Sequence, residues 1–88
     1  MSSRNRNFKI LTLFENKKLE QAIKDLDKAL EIDPDDLTGL RNKGIVLVNL
    51  GKYEEAVKVI DRVLSLDPSD SEILLFKAIA LESQGLSA

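Results

Sequence analysis

Residues 37–50 read LTGLRNKGIVLVNL, with Leu40, Leu47 and Leu50 at helical spacing and Ile45, Val46 and Val48 between them. So wide an apolar stripe predicts a helix covered on more than one side. Residues 53–66 are patterned differently. Tyr53, Ala56, Val57, Ile60, Val63 and Leu64 fall on one helical face, and Glu54, Glu55, Lys58, Asp61 and Arg62 on the other. Glu54 and Lys58 stand in the favourable i,i+4 order. Gly51, between the two stretches, fits a helix C-cap. Pro68 ends the second, because it lacks an N–H and drives the residue before it towards extended geometry. SDSE at 69–72 has the form of a capping box that opens another helix. The same pattern along the whole chain predicts five helices, at about 5–15, 19–32, 37–50, 53–66 and 71–84. Their short connections predict antiparallel neighbours in an all-α fold.

The pattern repeats. A shift of 34 residues lays KLEQAIKDLDKALEIDPDD (18–36) on KYEEAVKVIDRVLSLDPSD (52–70), with nine identities in nineteen places. Among them are Ala22/Ala56, Asp27/Asp61, Leu30/Leu64 and Pro34/Pro68, the last being the only two prolines of the chain. Upstream, Lys9, Lys43 and Lys77 share one phase, as do Leu11, Ile45 and Ile79, and Leu13, Leu47 and Leu81. One domain, 1–88, therefore divides into a unit at 3–36, a unit at 37–70 and a half unit at 71–88.

A 34-residue unit of two helices with this pattern resembles the tetratricopeptide repeat. In the middle unit the resemblance rests on Gly44, the run LGKYEEA from Leu50 through Gly51 and Tyr53 to Ala56, and then Val63, Leu66 and Pro68. In the first it rests on Leu19, Ala22, Ala29, Ile32 and Pro34, and in the last on Ala78, Leu81 and Gly85. The resemblance implies a right-handed superhelical stack of helix hairpins, about two and a half repeats long. Gly44 and Ala56 then sit where the two helices of a unit come closest. The first unit departs from the pattern, with Ile10 where a small residue is usual and Lys17 where Gly is usual. Leu40 and Leu74 replace the usual aromatic of the first helix.

Composition narrows the chemistry. The 88 residues include no Cys, His or Trp. That removes thiolate sites and the commonest general base and metal ligand. A net charge of −2 argues against a nucleic-acid surface. No apolar run approaches the ~20 residues of a membrane span, and the start of the chain lacks the cleavage site of a signal peptide. A cytoplasmic protein is expected. The acidic runs DPDD and DPSD invite a calcium reading, but Gly44 stands where the closing bidentate Glu would be needed. Helix capping is the better account of them. Lys9, Lys43 and Lys77 either form a basic ladder for an anionic ligand or pack their stems and reach water; the second is favoured. The sequence has no nucleophile–base set and no phosphate loop. No catalytic residue, metal or cofactor is predicted.

The resemblance also implies a concave groove lined by the first helix of each unit, where family members hold a segment of a partner protein. Carried over, the lining is Asn7, Phe8 and Leu11; Thr38, Arg41, Asn42, Ile45 and Asn49; and Glu72, Leu75, Phe76 and Ile79. The apolar members are either groove or core. A family subset clamps a chaperone's C-terminal carboxylate with Lys, Arg and Asn. Asn42 matches that pattern, but Asn7, Leu11, Glu72 and Phe76 supply no cation, so such a clamp is not expected. The groove suits an amphipathic helix or apolar strand. The implied function is a protein–protein interaction module for a protein or peptide partner the sequence does not name. The alternative is a structural homo-oligomer. Residues 73–81 are apolar at eight of nine places, and a terminal helix normally needs a polar outer face. Its cover would be a longer array, another subunit through 71–84, or a partner.

Overall fold

The computed structural model describes the backbone of residues 2–87 and the side chains of residues 15–85. Among the described residues there are four helices and no strand: α1 (Ser2–Ile32), α2 (Leu37–Asn49), α3 (Tyr53–Leu66) and α4 (Ser71–Ser87). Each packs on the next, and α2 also touches α4.

The five-helix expectation fails at one place. Residues 16–18 do not break the chain, and the helices expected at 5–15 and 19–32 are one, α1. The middle unit shows what a break requires. After α2, Gly51 adopts φ 81°, in the left-handed region. Its N–H donates to the Val48 carbonyl (3.0 Å), and the Lys52 N–H donates to the Leu47 carbonyl (2.9 Å). These two bonds form a Schellman cap, which needs a residue tolerant of positive φ. Thirty-four residues earlier stands Lys17. A side chain with a Cβ resists that geometry, and the helix runs on.

The core lies where α2, α3 and α4 meet. Leu47, Ala56, Ile60, Val63, Ile73 and Ala80 are essentially inaccessible, with Leu40 and Val48 beside them. A Cβ placed on Gly44 would stand 3.0 Å from Ile60 Cγ1, so α2 and α3 approach through the absent side chain of Gly44. The periphery is thinner. Ile23 and Leu30 of α1 pack against the core, Ala22 and Leu26 are half-buried and Ala29 is exposed. Ala78 of α4 is exposed too. Both alanines share a phase with buried residues, Val63 and Gly44, but no helix of the described chain lies over them. Tyr53 is half-buried against the core, and Pro34 and Pro68 lie exposed in the connections after α1 and α3.

The capping box also resolves differently. Asp70, not Ser69, caps α4: its Oδ1 accepts from the Ile73 N–H at 3.1 Å. Glu72 turns away to Arg41 instead of reaching back. Asp36, in phase with Asp70, makes no side-chain cap on α2. Asp33 and Asp67 instead fold the connections, accepting from the N–H groups of Asp35 and Ser69.

Candidate functional site

The candidate lining residues with described side chains sit on α2 and α4, which are in contact. Asn7, Phe8 and Leu11 lie outside the described side chains. On α2, Thr38, Asn42 and Asn49 are exposed. On α4, Glu72 is exposed, as are Leu75 (60%) and Ile79 (41%). Ile45 and Phe76 are half-buried against the core, which places them mainly in packing.

Arg41 is not an open cation. Its Nε donates to Asp70 Oδ2 at 2.8 Å, and its Nη2 donates to Glu72 Oε1. Two carboxylates at the head of α4 thus hold one guanidinium of α2. The hydrogen bond to Asp70, and next that to Glu72, raise the Arg41 pKa above its ordinary value. Asp70 is held below the ordinary carboxylate value, first by the Ile73 N–H and then by Arg41. A partner carboxylate would meet a guanidinium already paired with two carboxylates.

Of the in-phase lysines, Lys9 lies outside the described side chains, and Lys43 and Lys77 take a role that neither reading from sequence described. Lys43 Nζ lies 2.6 Å from Asp27 Oδ1, and Lys77 Nζ lies 2.7 Å from Asp61 Oδ1. Each bridge runs from a first helix to the second helix of the unit before it. Lysines and aspartates both recur at 34 residues, and that joint recurrence was a signal for the pairing. Arg62 pairs with Asp35. Nothing in the repeat announced that contact, because the residue in phase with Asp35 is Ser69.

Among the described residues no group of three acidic, His or Cys side chains could hold a metal ion. No described helix is long and apolar enough to cross a membrane. The exposed polar and apolar side chains of α2 and α4 offer hydrogen bonds and apolar contact. A family model of the tetratricopeptide repeat matches residues 13–82. The chain belongs to the tetratricopeptide repeat family. No curated protein and no solved structure matches it. The matched span runs from within α1 to within α4. Tetratricopeptide repeats generally mediate protein–protein interaction, and on this repeat chain α2 and α4 carry the candidate contact residues.

Proposed function

We propose that the chain is a protein-interaction module that holds an apolar segment of a partner protein across α2 and α4. The observation that carries this reading is the pair Leu75 and Ile79, one turn apart on α4 and both exposed. Thr38, Asn42 and Asn49, exposed on the neighbouring α2, supply hydrogen-bonding groups around them. An apolar strip with polar flanks suits an amphipathic helix or an extended apolar strand. Arg41 serves as a strut between the two helices, because Asp70 and Glu72 take up its Nε and Nη2 donors. The second lining set expected from the sequence, Asn7, Phe8 and Leu11, belongs to this proposal as well.

The test is a photo-crosslinking residue at Leu75 or Asn42, with the captured segment identified by mass spectrometry. One apolar partner segment should be captured at both positions, and Leu75→Asp should abolish its binding. Capture that survives Leu75→Asp unchanged would sink the reading.

A further inference from the structure

Among the described residues two faces lack a cover, and the repeat shows that they match each other. Within the molecule, Leu40, Gly44 and Leu47 of α2 are buried, as are Ala56, Ile60 and Val63 of α3. The two helices meet where Gly44 faces Ile60. Thirty-four residues on, the places of the α2 set are held by Leu74, Ala78 and Leu81 of α4. All three are exposed, the leucines by 48% each. Thirty-four residues back, the places of the α3 set are held by Ala22, Leu26 and Ala29 of α1. These are half-buried, half-buried and exposed. So α4 presents the face of a first helix with no second helix over it. α1 presents the face of a second helix with no first helix over it, because the chain runs straight through 16–18.

We infer that the two faces close on each other between copies of the chain. α4 of one molecule docks on α1 of the next, as α2 docks on α3 within each. The volumes nearly balance: Ala78 is larger than Gly44 by one carbon, Ala29 is smaller than Val63 by two, and Leu26 and Ile60 are isomers, a net difference of one carbon. Swaps that keep total volume are the ones packed interfaces tolerate best. The occupant is a second copy because one chain carries both halves of the match. A symmetric pairing of α4 with α4 would leave the α1 face open. The contact is heterologous, since the two patches differ, so association proceeds head to tail. Glu82, in the place of buried Val48, sets a carboxylate beside the contact. The association is therefore reversible rather than permanent.

Ala29→Glu and Ala78→Glu test this, because both positions are exposed in the single molecule. Sedimentation of the unaltered chain should show mass rising with concentration. Each variant alone should associate at least about tenfold more weakly, since it would bury an unpaired carboxylate. An equimolar mixture should recover a 1:1 heterodimer that grows no further, built from the intact α4 face of Ala29→Glu and the intact α1 face of Ala78→Glu. Circular dichroism melts of both variants at low concentration check folding; Leu74→Glu replaces Ala78→Glu, and Ala29→Lys replaces Ala29→Glu, if either melts early. A strictly monomeric chain at millimolar concentration overturns the inference. So does undiminished self-association of Ala29→Glu, the outcome expected of α4–α4 pairing.

Discussion

Arg41 Nε and Asp70 Oδ2 meet at 2.8 Å, while the other oxygen of the same carboxylate accepts the Ile73 N–H at 3.1 Å. Asp70 therefore starts α4 and ties it to α2 at once. The cap serves local structure, and the ion pair serves the stacking of one unit on the next.

The dual role of Asp70 predicts a pH signature. Its folded-state pKa is depressed, so its contribution to stability is present above the ordinary value of 3.8 and is lost as pH falls through the lower folded value. Asp70→Asn keeps a capping oxygen but loses the charge. Thermal melts should place Asp70→Asn below the unaltered chain at pH 7 and Asp70→Ala lower still. The gap between the unaltered chain and Asp70→Asn should narrow as the pH drops below 3.8. A gap that stays constant down to pH 2 would show that the charge contributes nothing.

Gly is required at 51 and unfavourable at 17, and the two sites predict opposite origins for a similar loss. Gly51→Ala forces a Cβ into φ 81° and should cost about 1–2 kcal/mol. Lys17→Gly weakens the interior of a continuous helix and should cost about 1 kcal/mol. Urea unfolding curves with unchanged slope would measure both. A neutral Gly51→Ala would contradict the Schellman cap.

Gly44 and Ala78 share a phase and should respond differently to the same change. Gly44→Leu would drive a side chain into Ile60 and should cost about 1–3 kcal/mol. For a domain of this size, each kcal/mol corresponds to roughly 4–8 °C of melting temperature. Ala78→Leu lies on an exposed face and should stay within about 0.5 kcal/mol in dilute solution. Equal shifts for the two variants would mean that α2 and α3 do not approach through Gly44.

The bridges Lys43–Asp27 and Lys77–Asp61 bind exposed or half-exposed partners. Each should contribute less than about 1 kcal/mol, and less again in high salt. Double-mutant cycles at low and at 1 M salt would measure this. A coupling that does not change with salt would mean a bridge more shielded than its exposure indicates.

Much of the fold was legible in the chain. The 34-residue period located α2, α3, α4 and the later part of α1, because helix spacing, Gly51 and the two prolines are local signals. Gly44 was recognisable as a close approach from its size and phase. The continuous α1 was half-written: Lys17 was visible as a departure, but whether the missing glycine loosens a turn or abolishes it depends on the balance of helix and tertiary contacts. The candidate surface was less legible. Arg41 looked like an open groove residue until the fold brought two carboxylates to it from α4. Ile45 and Phe76 fell to the core side because helix phase from sequence does not fix how far each helix turns towards its neighbours.

By itself, the sequence determined a helical chain of 34-residue units with an aliphatic core, because periodicity, composition and glycine chemistry act over a few residues. The tertiary structure alone decided that Arg41 meets Asp70 and Glu72 and which faces stay open. Those depend on residues about thirty apart, such as Arg41 and Asp70, being carried to one place by the packing of whole helices.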